Sequence, residues 1–216
     1  MTDVSDDLSH DESHDEVDGD DVEVEWQVGA GFRRTRFGRI VGQFSDEERG
    51  LLESLVGQLI DFVAPEPLDA DADPLARLVG IDKDSEVPED PALLRLLPDA
   101  YPDDPEASAE FRRFTERGLR ESKLANATVV LDSLRRSGAK IVLSEAQAAA
   151  WLGSLTDLRL TLGHRLGIVE DEDHEAWYGE EEVDEATNAL RFVYDWLSWV
   201  QESLVAALMP ALSTDP

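Results

Sequence analysis

The sequence contains no cysteine. That removes disulfides, thiolate zinc sites, iron–sulfur clusters and a thiol nucleophile together. Met1 and Met209 are the only sulfur-bearing residues. No apolar run approaches the ~20 residues that span a bilayer, so no membrane contact is expected. Met1 to Gly19 is acidic, where a secretory signal is basic and then apolar. These absences together predict a cytoplasmic protein. Catalytic signatures are missing too: no G-x-x-x-x-G-K-[ST] loop, no strand-linked G-x-G-x-x-G and no G-x-S-x-G elbow. The run His10-Asp-Glu-Ser-His14 lacks the Glu that follows the first His of a zinc-protease helix. His164 and His174 stand near no nucleophile pattern. The many carboxylates lie in runs, the habit of solvated faces, and no pair is isolated for acid–base work. No cofactor, no metal site and no enzymatic activity is expected.

Positive charge is scarce. The 49 acids outnumber the 19 bases, for a formal charge of −30. A field of that sign repels nucleic acid and anionic lipid at long range. Its distribution is uneven, however. Residues 1–25 hold 12 acids and no Lys or Arg. They are also poor in apolar residues, so residues 1–29 are expected to form a disordered acidic tail. Between Trp26 and Ser45 there is no acid, and Arg33, Arg34, Arg36 and Arg39 appear. Arg112, Arg113, Arg117, Arg120 and Lys123 form a second basic group.

Local signals organise the remainder. Phe32–Arg36 and Arg39–Phe44 are β-tolerant segments around Phe37-Gly38, which predicts a hairpin with a two-residue turn. Arg34 and Arg36 would then share a strand face. Ser45-Asp-Glu-Glu48 and Ser144-Glu-Ala-Gln147 are capping boxes that open helices. Asp73-Pro74, Asp90-Pro91 and Asp104-Pro105 are N-cap and first-turn pairs. They predict short helices over Leu75–Val79 and Ala92–Leu97 and a long one from Glu106 to Arg136. Lys140–Leu143 suits a short strand, and Gly167 a helix stop. The last helix carries a stripe of Val183, Ala186, Leu190, Val193, Leu197, Val200, Leu204 and Leu208. A second seam of Ala189, Phe192, Trp196 and Trp199 runs beside it. A face this wide fits either a central core helix or a homodimer contact through Phe192, Trp196 and Trp199.

The basic groups admit two readings. Guanidinium forks suit phosphate oxygens and base edges. They also suit the protein's own abundant acids. Arg113, Arg117 and Arg120 form a stripe opposite Phe111, Phe114 and Gly118, and Glu116 can pair with Arg112 or Arg120. Ala149 and Gly153 have helix-turn-helix spacing, but Ser154 and Arg159 stand where apolar residues belong, so a continuous helix competes with that motif.

Several ordered segments carry a family resemblance. They are Phe32-Arg-Arg-Thr-Arg-Phe-Gly-Arg39, Asp73-Pro-Leu-Ala-Arg-Leu-Val79, Asp90-Pro-Ala-Leu-Leu-Arg-Leu-Leu-Pro-Asp-Ala-Tyr101, Glu110-Phe-Arg-Arg-Phe-Thr115, Leu155-Thr-Asp-Leu-Arg-Leu-Thr-Leu-Gly-His-Arg-Leu-Gly-Ile168 and Tyr194-Asp-Trp-Leu-Ser-Trp-Val-Gln-Glu202. As a string, over roughly residues 30–209, this resembles the actinobacterial oxidative-stress regulator family (AosR), formerly a domain-of-unknown-function family. The resemblance implies a cytoplasmic transcription regulator tied to redox defence and to a cysteine-biosynthesis operon. It also implies action alongside an RNA polymerase sigma factor. Without cysteine, this chain has no thiol switch of its own.

The expectation is therefore a mainly α protein. A single helical domain spans residues 30–212, with a short N-terminal β-hairpin at about 32–44. Its main helices are at about 46–63, 106–136, 145–166 and 184–208. The expected function is that of a DNA-binding transcriptional regulator, a homodimer that contacts double-stranded DNA through Arg33, Arg34, Arg36, Arg39, Arg113, Arg117 and Arg120. The alternative is a non-enzymatic helical adaptor that binds a protein such as a sigma factor or a proteolysis component.

Overall fold

A hairpin opens the described chain. Strands β1 (Gly31–Arg34) and β2 (Ile40–Gln43) pair antiparallel with Arg34 opposite Ile40. The turn is not the expected two-residue one. Thr35 N–H donates to Arg39 C=O, and Gly38 N–H donates back to Thr35 C=O. Arg36, Phe37 and Gly38 thus form a three-residue loop, with Gly38 in the left-handed region at φ +80°. Glycine serves as the bulge residue that closes the loop, which removes the need for Phe37 to adopt a positive φ. Arg36 is therefore a loop residue and does not share a strand face with Arg34.

The computed structural model describes residues 31–65, 87–168, 174, 177 and 183–209. The expected tail over 1–29, the helix over Leu75–Val79, and His10 and His14 lie outside those residues. The described chain is mainly α, with five helices and a three-stranded antiparallel sheet. The helices are α1 (Asp46–Val63), α2 (Pro91–Leu96), α3 (Pro105–Arg136), α4 (Glu145–Arg165) and α5 (Glu185–Leu208). Strand β3 (Lys140–Leu143) joins β2 on the side away from β1.

The helix ends follow local chemistry. Ser45 and Glu48 exchange both capping-box bonds at α1, as Ser144 and Gln147 do at α4. Asp90 and Asp104 accept from the first-turn amides of Ala92 and Ala107, with proline at the first helical position. Asp184 caps α5 through the Thr187 amide and hydroxyl. Those bonds stabilise the carboxylate and hold the Asp184 pKa below the ordinary value, the Thr187 hydroxyl first among them. Val183 precedes that cap and so is not part of the helical stripe. Helix α4 ends in a Schellman motif. Ile168 N–H donates to Gly163 C=O and Gly167 N–H to His164 C=O, with Gly167 at φ +80°. It runs unbroken through Gly153, so the helix-turn-helix spacing marks no turn. Gly153 is small because the Asn126 amide packs on it; a Cβ there would lie 2.9 Å from Nδ2.

The core joins the sheet to α1, α3, α4 and α5. Phe32, Phe44 and Trp151 pack with ring centroids 5.1–6.1 Å apart, two contacts edge-on and one stacked. Gly42 admits the Phe32 ring across β2, since a Cβ would sit 2.6 Å from it. Helices α3 and α4 run antiparallel, Lys123 bonding Asp157 at 2.6 Å while Asn126 meets Gly153. Desolvation of Asp157 outweighs its Lys123 bond and raises its pKa. Among the described residues, no helix is long and apolar enough to cross a membrane.

Candidate interaction surfaces

The sheet and α5 position the first arginine group. β1 is the edge strand next to α5, and Phe32 N–H donates to Ser203 Oγ at 2.9 Å. This directs Arg34 to the end of α5. Its Nε donates to Ala207 C=O at 2.8 Å and its Nη2 to Leu208 C=O at 3.4 Å. Its Nη1 donates to Gly38 C=O at 3.3 Å, across the hairpin loop. The final carbonyls of a helix lack intrahelical donors and carry its negative pole. Helix α5 has no basic residue in its own last turn, and Arg34 supplies that cation from the far end of the sequence.

The other hairpin arginines are placed differently. Arg33 projects from the opposite sheet face, beside Val41 and in row with Val142. Lys140 falls on that face too, through its pairing with Gln43. Lys140 was not a candidate from its local pattern, because its face depends on the register of β3. Arg36 lies over the Phe37 ring at 4.6 Å in the exposed loop, and Arg39 is exposed beside it.

The second basic group is held by acids. Arg112 is buried and bonds Asp99, Glu116 and Leu97 C=O. Glu116 also accepts from Arg120 at 2.7 Å, so it serves both arginines at once. Arg117 lies 3.7 Å from Glu121, and Arg113 is half-buried. The aromatic side of this helix segment is the outer one: Phe111 and Phe114 are exposed, with Tyr101 set edge-on to Phe111. The cleft beside Arg112 holds about 30 Å³, roughly a tenth of the smallest ordinary ligand pocket.

The two groups do not merge. The hairpin loop sits at the Leu143 end of β3, where α4 begins. Arg113, Arg117 and Arg120 lie beyond the Lys123–Asp157 contact, toward the other end of the antiparallel α3–α4 pair. Asp157 is 12 residues into α4, about 18 Å along its axis.

A third surface is apolar. Phe192 is 72% exposed and Trp199 40% exposed. Trp196, half-buried between them in sequence, donates its indole N–H to Glu48 Oε1 at 3.3 Å. The same carboxylate closes the capping box of α1, so one acid ties α5 to the start of α1. Trp199 stands against Gly31, whose Cβ, were there one, would lie 3.0 Å from the indole ring. Leu197, Val200, Leu204 and Ala207 take the buried side of α5. Leu190 is exposed, contrary to a core stripe running the whole helix.

Among the described residues, no group of three or more His, Asp or Glu is placed to hold a metal ion. Residues 29–208 match the family described as Domain of unknown function (DUF2017). A chain from Mycobacterium leprae that carries the AosR designation is 34% identical over 177 residues, covering 75% of this chain and 79% of the relative. The proteins named "Oxidative stress regulator AosR" from Mycobacterium bovis and Mycobacterium tuberculosis H37Rv are each 33% identical over 185 residues, covering 79% of this chain and 83% of theirs. No solved structure matches.

Proposed function

Since the chain belongs to the DUF2017 family, we propose that it is an oxidative-stress regulator that works by holding a protein partner on the exposed aromatic seam of α5. The regulatory role is carried over from the name of its mycobacterial relatives. The choice of protein over DNA rests on one observation. The arginines best suited to phosphate are spent inside the fold or paired with acids: Arg34 on the α5 carbonyls, Arg112 and Arg120 on Glu116, Arg117 near Glu121. A charge of −30 adds a long-range penalty for DNA. Phe192 and Trp199 offer the rigid, exposed aromatic area that anchors protein interfaces. The partner this reading takes, from what the family resemblance implies, is an RNA polymerase sigma factor. With no cysteine in this chain, the partner would supply any thiol chemistry.

A second reading keeps direct DNA contact. It is favoured by Arg36 and Arg39 in the exposed hairpin loop, with Arg33 and Lys140 on one adjoining face. One experiment separates the two. Labelled double-stranded DNA and purified sigma factors of the same organism are titrated with the full chain at several salt concentrations. The partner reading expects sigma-factor binding that is lost in Phe192→Ser, and no DNA binding at low salt. DNA binding that weakens and acquires a shallower salt slope in Arg36→Ala/Arg39→Ala would overturn it.

A further inference from the structure

The outer side of α3 carries an uncharged stripe in a strongly charged protein. Phe111, Phe114, Gly118, Ser122, Ala125 and Val129 recur at spacings of three and four, so they lie along one helix face. The first five are exposed and Val129 is half-buried. Arg112, Ala127, Val130 and Leu134 take the buried side, against α1 and α4. Phe111 and Phe114 are 45% and 57% exposed, an unfavourable hydration that a contact would remove. The stripe is also graded in size. Its two large residues stand at the N-terminal end, and Gly118, Ser122 and Ala125 follow. A Cβ on Gly118 would meet nothing within 4 Å.

We propose that this stripe is the contact face of a homodimer, in which α3 lies antiparallel on α3 of a second copy about a twofold axis at Gly118. A face that is large at one end and small at the other is complementary to itself only in the antiparallel sense. With Gly118 on the axis, Phe114 enters the hole between Gly118, Ser122 and Ala125 of the second copy. Phe111 lies one turn further on, beside Ala125 and Val129 of the second copy. The flanking charges agree with this register. Arg117 and Glu121 stand on one flank of the stripe, 3.7 Å apart within the chain. The twofold brings like flanks together and reverses the second helix. Arg117 of one copy and Glu121 of the other then fall on the same side of Gly118, one and three residues from it, about 3 Å apart along the axis. Each guanidinium gains the second copy's carboxylate. From Phe111 to Val129 is about 27 Å of helix, and a helix is about 10–12 Å wide. That footprint, about 300 Å² on each copy, is well below a standard interface, so the dimer is weak and reversible, with a Kd of ~10–100 μM. The charge of −30 opposes association at long range, and 0.15 M salt screens it beyond about 8 Å. The aromatic seam of α5 takes no part, so the proposal stands apart from the partner reading.

Analytical ultracentrifugation of the full chain alone, from about 5 to 500 μM in 0.15 M salt, reads the association directly. The expected result is a monomer–dimer equilibrium. Phe114→Asp and Ala125→Glu change a knob and a hole at exposed positions, and each should weaken it at least tenfold. Arg117→Glu and Glu121→Arg should each weaken it too, because each gathers four like charges around the axis. Mixed one to one, these two variants should recover the parent's association. Acid and base then alternate between the unlike chains, a rescue that no contact within one chain can produce. Circular dichroism checks that each variant keeps the parent's helix content. A parent that stays monomeric at 500 μM would overturn the proposal. So would association that survives both Phe114→Asp and Ala125→Glu, or no recovery in a mixture of two correctly folded charge variants. Association lost in Phe192→Ser and kept in Phe114→Asp would move the second copy to α5, and the proposal would fall. Sigma-factor binding is measured separately, and its absence would leave the dimer standing while the partner reading fails.

Discussion

Arg34→Ala separates a structural arginine from a nucleic-acid contact, and its cost can be worked from the geometry. The side chain makes one short bond, Nε to Ala207 C=O at 2.8 Å, and two longer ones at 3.3 and 3.4 Å. A hydrogen bond with a charged partner contributes about 1.5–3 kcal/mol net, and a cation at a helix C-terminus about 0.3–1 kcal/mol more. The longer bonds add little, and the freed carbonyls at the helix end regain water. The expected loss is therefore about 2 kcal/mol, with a fall in melting temperature of about 4–8 °C for a domain of this size. Urea unfolding followed by circular dichroism reads the first number and thermal unfolding the second. Arg36→Ala and Arg39→Ala, in the exposed loop, should stay within about 0.5 kcal/mol of the parent. Arg34→Lys should fall between, because it keeps the charge and loses the fork. If Arg34→Ala changes stability by less than about 0.5 kcal/mol, the capping argument is wrong and the residue becomes available for another role.

Glu116→Gln removes the charged acceptor shared by Arg112 and Arg120. It should cost about 2–3 kcal/mol in urea unfolding, since Arg112 is buried and, among the described residues, is left with Asp99 as its ionic partner. The exposed Glu121→Gln should cost almost nothing, and equal costs would refute the shared-acceptor role. The raised pKa of Asp157 means that the native state holds this proton more tightly than the unfolded chain does. Its contribution is therefore most favourable below the unfolded value and declines as pH rises through the raised folded one. The stability difference between parent and Asp157→Asn should follow that decline in urea melts across the acid range, and a rise instead would sink the assignment. Gly42→Ala should destabilise by about 2 kcal/mol or more, because its Cβ would overlap the Phe32 ring. Gly118→Ala, exposed on α3 with open space around it, should stabilise by about 0.5–1 kcal/mol, and thermal unfolding of the pair checks both signs.

Much of the fold was legible because helix ends are written in short-range bonds. Ser45 and Glu48, and Ser144 and Gln147, lie three residues apart in sequence, and each pair bonds as its spacing implies. The hairpin was legible in outline, but its loop was misread. Phe37-Gly38 suggested two turn residues, whereas the Thr35–Arg39 bond sets the loop at three. The candidate surfaces were much less legible. Arg113, Arg117 and Arg120 do form a helical row, yet periodicity cannot say which side of α3 is buried. The buried arginine proved to be their neighbour Arg112, and the phenylalanines of the row's opposite side stand in solvent.

By itself, the sequence determined where helices start and stop, that nine of the 19 bases cluster in two short stretches, and that no thiol chemistry is available. These properties follow from composition and from bonds spanning a few residues. Only the tertiary structure decided which arginines face solvent. Arg34 is an anion-binding candidate in isolation, and it became a helix cap because β1 lies along α5 and brings it to carbonyls 173 and 174 residues away. The fate of the aromatic seam was settled in the same way. Trp196 is drawn half inside by Glu48, while Phe192 and Trp199 remain outside. Burial depends on which surfaces meet, and that is set by the packing of all the elements together, which no local spacing encodes.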